Sequence, residues 1–353
     1  MLSYSQNIMI KSIKLTNFRR FEDVQIDIEK DIVVLYGNNA QGKSTILEAI
    51  YLLTNGKSPW AVSDEFVNNT QKDEDKFARI EIATDEHLFA FFKDQSRRVC
   101  KIDNMNTTPK KFFQSNASTI FNPEQIEILM ISPSRRRDFL DEVISQIDYE
   151  YNDTLAQFRK VLRQRNAYLK KLAKKFYEQG IIARNDTQLN FWTNEFVNLA
   201  KIIQNKRLEL IDDLSSDGFT LEYVKSNDKD LEECIEDAKK RDIVTGCSNI
   251  GPQRDDWEII VEKNIKKYGS RGEKRLAIGN LIFRVQDVLN KKLGFYPILL
   301  LDDIASELDP KNTHKIFGEE NIKKQQTFIT IINKDELPEE ILKNAQLIDL
   351  NSI

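Results

Sequence analysis

The sequence predicts an α/β fold: a mixed sheet with an antiparallel β subdomain beside it, interrupted by an inserted helical, coiled-coil arm. Three observations carry this. An apolar run, Ile32 to Tyr36, passes through Gly37-Asn38-Asn39-Ala40-Gln41-Gly42-Lys43-Ser44 into an amphipathic stretch, Thr45 to Leu53. A second apolar run, Ile298 to Leu301 after Pro297, ends in Asp302-Asp303. Between them, from Tyr151 to Leu214, the apolar positions are spaced by three and four, the repeat of helices that pack along a seam.

The 353 residues carry 52 Lys and Arg against 56 Asp and Glu, a formal net charge of −4. A chain this long exceeds one compact core and suggests two domains or a domain with a large insertion. Its apolar runs fall far short of the roughly 20 residues a membrane span needs, and Met1 to Asn7 lack the regions of a signal peptide, so a cytoplasmic protein without a membrane partner is expected. Cys100, Cys234 and Cys247 are widely separated and read as reduced thiols, neither zinc ligands nor a disulfide frame. With an acidic balance, any nucleic-acid binding must rest on local basic patches. Arg97-Arg98, Lys110-Lys111, Arg135-Arg136-Arg137, Lys170-Lys171 with Lys174-Lys175, and Lys239-Lys240-Arg241 are available, each either a solvated face or a binding surface.

Taken in order, residues 8–28 alternate apolar and polar as two antiparallel strands joined through Asn17 to Phe21. After the helix that follows Ser44, Phe77 to Ala83, Leu88 to Phe92 and Arg98 to Ile102 alternate again and place an antiparallel sheet beside the first. Ser132-Pro133 starts a helix, Ser as N-cap and Pro at the first helical position. Leu155, Phe158, Leu162, Leu169, Leu172 and Phe176 form one seam, interrupted only by the polar Arg165; after Gly180, Trp192, Phe196, Leu199, Ile203, Leu210 and Leu214 form a second. Two seams with a short link predict an antiparallel coiled-coil hairpin. Strand character returns at Phe219 to Val224, a helix at Asp230 to Lys240 and another from Ser270 to Lys292; strands at Thr327 to Ile332 and Leu347 to Leu350 close the chain. The expected organisation is 1–131, 132–245 as the helical arm, and 246–353.

G-x-x-x-x-G-K-S between a strand and a helix is a phosphate-binding loop. Its glycines let successive N–H groups point at phosphate oxygens, and the helix N-terminus adds its dipole. The loop assigns Gly37, Asn38, Asn39, Ala40, Gln41, Gly42, Lys43, Ser44 and Thr45 to a nucleoside triphosphate, with Lys43 reaching the β- and γ-phosphates and Ser44 offering its hydroxyl to Mg²⁺. The Walker B pattern at Leu299 to Asp303 makes Asp302 the second Mg²⁺ ligand and Asp303 the group that polarises the attacking water. Lys43, Asp302 and Asp303 are thus the candidate catalytic residues, and ATP and Mg²⁺ the expected cofactors.

At Ser270-x-Gly272-Glu273, Asp302-Asp303 and Ser306-x-Leu308-Asp309 the chain resembles ABC-type ATPases, in which the S-x-G-[QE] signature of one subunit closes over the nucleotide of another. It is more specifically similar to the RecF family of DNA repair ATPases, related to SMC heads. The carriers are Asn17-Phe18-Arg19, Leu47-Glu48-Ala49-Ile50, Ser132-Pro133-x-x-Arg136-Arg137-x-Phe139-Leu140-Asp141, Gln164-Arg165-Asn166, Gly251-Pro252-x-Arg254-Asp255-Asp256, and Leu300 to Asp309. The resemblance implies an ABC-type ATPase head and a weak ATPase that dimerises on ATP. It would bind duplex DNA or single-strand gap junctions in replication and recombinational gap repair, with RecR and RecO as partners. Ser270 and Gly272 would then complete the opposite subunit's site. The sequence departs from the family at Gln253 (usually His), Ala61 (Arg expected) and Glu273 (commonly Gln), which bears on nucleotide contacts and turnover. Phe121 to Gln125 is either the Q-loop or an ordinary strand-to-helix turn. Two other readings stay open, an ATPase driving a transporter or other non-DNA partner and an SMC-like structural head with little turnover. Against the transporter, Asn333 stands where transport ATPases carry His, and a coiled-coil insertion is foreign to that class.

Overall fold

A computed structural model of the chain describes residues 9–60, 76–94, 96–114, 117–122, 131–180, 186–303 and 319–352. Ala61, Pro123 to Gln125 and Ser306 to Asp309, singled out above, lie outside them. The chain divides into two compact units, 1–127 with 275–353 and 128–274. Segment 246–274, expected with the C-terminal part, therefore belongs to the helical unit.

In the first unit, β1 (Ile10–Phe18) and β2 (Phe21–Asp27) form the expected hairpin, its turn admitting the positive φ of Asn17 and Arg19. With β4 (Phe77–Thr84), β5 (Leu88–Asp94), β6 (Arg98–Ile102) and β7 (Met105–Thr107) they make a six-stranded antiparallel sheet in the order β2-β1-β4-β5-β6-β7. The second sheet runs β14-β3-β13-β12-β8 and is parallel throughout: β3 (Ile32–Tyr36), β8 (Ser118–Phe121), β12 (Ile298–Leu301), β13 (Thr327–Ile331) and β14 (Gln346–Asp349). Parallel and antiparallel strands thus keep to separate sheets instead of mixing in one. The patterns show why. The antiparallel strands alternate buried and open positions, whereas β12 and β13 are buried at every residue, as parallel strands covered on both faces must be. Helix α1 (Lys43–Asn55) is buried at ten of its thirteen positions and shares one core with both sheets, Ile46, Leu47 and Ile50 packing with Leu15, Phe18, Val33 and Phe328. Helix α2 (Pro109–Gln114), not expected from the sequence, adds Phe112 to that core.

The second unit holds α3 (Pro133–Ile147), α4 (Glu150–Gln179), α5 (Thr187–Leu214), β9 (Thr220–Val224), α6 (Leu231–Thr245), β10 (Asp256–Val261), β11 (Lys263–Asn264), α7 (Ile265–Tyr268) and the first turn of α8 (Arg271–Leu293). Ser132 accepts the Arg135 N–H as N-cap, with Pro133 at N1. Helices α4 and α5 run antiparallel: Tyr168 meets Asp186, Arg165 meets Thr193, and the rings of Phe158 and Phe196 lie 5.3 Å apart. Beyond the expected hairpin, α6 packs on the same helices, Ile243 joining Leu169 and Leu189.

Candidate nucleotide-binding site

Strand β3 delivers the chain to a loop built on positive φ at Gly37 (146°), Ala40 (64°) and Gly42 (93°). Gly42 is required. A Cβ there would sit 2.5 Å from the Phe21 ring, and the left-handed backbone strains any L side chain. The β1–β2 turn braces the loop from that side, where the Arg20 guanidinium donates to Ala40 O. Opposite, Asn351 Oδ1 accepts the Asn38 N–H at 3.1 Å and is itself oriented by Asp349, which accepts from both its backbone and its side-chain N–H groups.

The Lys43 ammonium donates to Gly37 O (2.6 Å) and Asn38 O (2.9 Å), curled under its own loop. Next to it, Ser44 Oγ donates to Asp302 Oδ1 at 2.9 Å, so residues 258 positions apart meet where β12 ends beside the start of α1. Thr330 of β13 ties the two acidic residues together: its hydroxyl donates to Asp302 Oδ1 (2.7 Å) and accepts the Asp303 backbone N–H (2.8 Å). Asp303 carries a φ of 48°, a left-handed turn just beyond the end of the strand.

Burial lowers the Lys43 pKa, partly countered by the negative charges of Asp303, Asp302 and Glu336. Burial likewise raises Asp302, against the hydrogen bonds from Thr330 and Ser44. A cation and an anion are therefore each held against desolvation, an arrangement that favours a ligand of mixed charge. The hydroxyl and carboxylate oxygens of Ser44 and Asp302 form an all-oxygen pair of the kind a hard divalent cation takes, with phosphate oxygens filling further positions. The donor chemistry fits Mg²⁺.

Two resemblance motifs meet outside the loop. Arg19 donates through Nε and Nη2 to both oxygens of the buried Glu48 (2.9 and 2.6 Å), clamping the β1–β2 turn to α1. In the second unit, Ser270 and Glu273 form a reciprocal capping box at the start of α8: Ser270 N–H donates to Glu273 Oε2 (2.7 Å), and Glu273 N–H to Ser270 Oγ (3.3 Å). Glu273 also pairs with Lys263 at 2.7 Å. Gly272 lies in that first turn.

The remaining motifs form a buried polar network within the second unit. Arg136 grips Asp256 with two hydrogen bonds (2.6 and 2.7 Å), and Trp257 Nε1 donates to Arg136 O. Arg207 grips Asp141 at 2.9 Å twice and donates to Pro252 O. Asp255 accepts from Gln204, Tyr223 and the Ser226 N–H. Arg165, expected as an interruption of the seam, is 1% exposed and donates to Asp242 and Ser248. Gln253 reaches Ile250 O through Nε2.

Thr330 and Asn351 escaped the sequence reading. A hydroxyl inside the apolar run Phe328 to Ile331 was a signal for the first; nothing in the local sequence marks the second.

The fold and this site define a P-loop ATPase head of the ABC type, and residues 9–348 match the family described as RecF/RecN/SMC N terminal domain. The DNA replication and repair protein RecF of Clostridium kluyveri is 32% identical over 358 residues, with 96% of each chain covered. A solved structure of the recombination mediator protein RecF-ATPrS in the RecFOR pathway has a TM-score of 0.81 at 26% identity, covering 95% of each chain; one of RecF-ATP has 0.80 at 25%. The chain belongs to the RecF family of DNA replication and repair proteins. No helix among the described residues is long and apolar enough to cross a membrane.

Proposed function

We propose that this protein is a weak, DNA-coupled ATPase: ATP with Mg²⁺ closes a homodimer on duplex DNA or a single-strand gap junction, and hydrolysis releases it during gap repair with RecR and RecO. The observation that carries the reading is the convergence of Lys43, Ser44, Asp302, Thr330 and Asp303 where the parallel sheet meets α1. Residues 1–131 and 246–353 would supply the ATPase parts and 132–245 the arm, with 246–274 folded into the helical unit.

The N–H groups of residues 38–45 and the dipole of α1 would cradle the phosphates. Lys43 would leave two carbonyls of its own loop for the β- and γ-phosphates, exchanging neutral acceptors for charged ones. Ser44 and Asp302 would hold Mg²⁺, which when bound neutralises charge developing on the β- and γ-oxygens. Asp303, one residue beyond at a left-handed backbone position, would orient and polarise the attacking water. Ser270 and Gly272, at the mouth of the α8 dipole, would act on the nucleotide of the opposite subunit. The transporter alternative has less support. Asn333, where a transport ATPase has His, is committed to a capping box with Glu336.

The test is phosphate release from ATP by the purified protein with and without gapped DNA. Stimulation by DNA, together with an Asp303→Asn variant that binds ATP but turns it over at least about 100-fold more slowly, supports the reading. Turnover indifferent to DNA, or wild-type turnover by Asp303→Asn, overturns it.

A further inference from the structure

Residues 154–177 of α4 contain no aspartate or glutamate, although the whole chain is net acidic. They contain eight cations. One, Arg165, is buried in the network above; the others, from Arg159 to Lys175, are exposed. At about 100° per residue, Lys160, Arg163, Lys171, Lys174 and Lys175 share an arc of about 120°, and Lys160 to Lys175 spans about 22 Å of helix axis. That arc lies opposite the seam residues Leu155, Phe158 and Leu169, which are buried.

Five cations on one helix, unpaired among the described residues and with no acidic residue between them, set this stripe apart from an ordinary solvated face. Elsewhere in the same unit, Lys201, Lys206, Lys229, Lys263 and Lys267 each hold a carboxylate at 2.7–3.1 Å. On α4, Arg159 reaches Asp138 only at 4.0 Å and Lys174 reaches Glu178 only at 3.8 Å. Among the described residues, Lys160, Arg163, Lys170, Lys171 and Lys175 have no ion-pair partner. Uncompensated like charges along one helix repel one another, at a few tenths of a kcal/mol per pair. The C-terminal end of α6 extends the field. Tyr177 Oη donates to Val244 O, and the Lys170 side chain lies against Gly246, which brings the exposed Lys240 and Arg241 to this end of α4.

A linear array of lysine and arginine with no apolar centre fits a polyanion better than a protein partner. Protein interfaces are depleted of lysine and anchored by buried apolar side chains, whereas duplex DNA presents one charge per about 1.7 Å of axis. We propose that the outer face of α4, Lys160 to Lys175, is the surface through which the helical unit holds the sugar-phosphate backbone of DNA. This rests on the DNA-binding reading above and adds where the unit makes contact. The contact is to backbone phosphate and so independent of sequence.

The experiment measures affinity for a fluorescent duplex in the presence of ATP against salt concentration. It compares the wild type, a stripe variant (Lys170→Gln, Lys171→Gln, Lys174→Gln, Lys175→Gln) and a control with the same charge change on the other unit (Lys291→Gln, Lys292→Gln, Lys323→Gln, Lys343→Gln). Each lost phosphate contact lowers the log–log salt slope by about 0.9. The stripe variant should therefore lose up to about 3.6 of slope and bind at least about tenfold more weakly at low salt, with ATP affinity and thermal midpoint unchanged. The control should keep the wild-type slope. A stripe variant that binds like wild type, or a control equally impaired, overturns the surface while leaving DNA binding intact. A wild type without salt-dependent binding removes the DNA reading itself, and the surface with it.

Discussion

At the candidate site, charged side chains stand against backbone and hydroxyl groups. Lys43 is held by two carbonyls and Asp302 by two hydroxyls. In the helical unit the charges are spent on one another: Arg136 with Asp256, Arg165 with Asp242, Arg207 with Asp141, nearly all buried. Around the candidate site Gly37, Ala40, Gly42 and Asp303 also sit at positive φ, and a non-glycine residue held there costs about 1 kcal/mol or more; none of the paired Arg and Asp residues of the helical unit does. Groups left with weak internal partners beside strained backbone are available to a ligand; groups paired with a buried opposite charge hold the fold. Both sets include motif residues of the sequence, so motif resemblance alone does not separate chemistry from architecture.

The largest effect is expected in the network. Arg207→Ala strips Asp141 of its bidentate partner and leaves it buried, which should lower unfolding free energy by about 3–5 kcal/mol in denaturant titration. An Arg207→Met, Asp141→Leu double variant should recover much of that. A loss below about 1 kcal/mol for Arg207→Ala would mean the pair does not hold the unit.

Lys43→Met should do the reverse, leaving the denaturation midpoint nearly unmoved while ATP binding weakens by about 100-fold or more. Mixing this variant with Ser270→Arg sharpens the contrast, because each homodimer is inactive but a heterodimer gathers both lesions into one composite site. ATPase activity should reappear at no more than about a quarter of wild type for random pairing. Heterodimers that form and stay inactive would place Ser270 outside the composite site.

The smallest effect belongs to Glu273. Its bond from Lys263, with those from Ser270, holds its carboxyl down to about 2 from an ordinary glutamate's 4.5. A depressed folded-state pKa contributes stability above about pH 4.5 that is lost as pH falls toward about 2. The side chain is 42% exposed and screened by solvent, so Glu273→Gln should move the thermal midpoint by no more than about 1 °C near pH 7, and the difference from wild type should vanish in acid. A larger shift at neutral pH would give the signature a structural role like that of the Arg–Asp network.

The candidate site was largely legible because its chemistry is local. Eight consecutive residues carry the loop, and a strand ending in two carboxylates carries Asp302 and Asp303, so residue type and spacing suffice. Thr330 and Asn351 were not, since each acts through a neighbour only the parallel sheet provides: β13 lies beside β12, and β14 beside β3. The capping at Ser132 and Ser270 was readable, being confined to one helical turn. Arg165 misled because a polar residue in a seam looks exposed until a third helix supplies Asp242.

By itself the sequence determined the phosphate-binding loop, the acidic strand end, the antiparallel hairpin of α4 and α5, and the order of the parts. These follow from period, turn chemistry and short-range spacing, which the chain carries at every point. Only the tertiary structure decided that residues 246–274 fold with the helical unit, that Arg136, Arg165 and Arg207 are buried and neutralised, and that Lys160, Arg163, Lys170, Lys171 and Lys175 of α4 face solvent with no ion-pair partner among the described residues. Whether a charge is paired depends on what approaches from elsewhere in the chain, up to 120 residues away for Arg136 and Asp256. No local pattern encodes that distance.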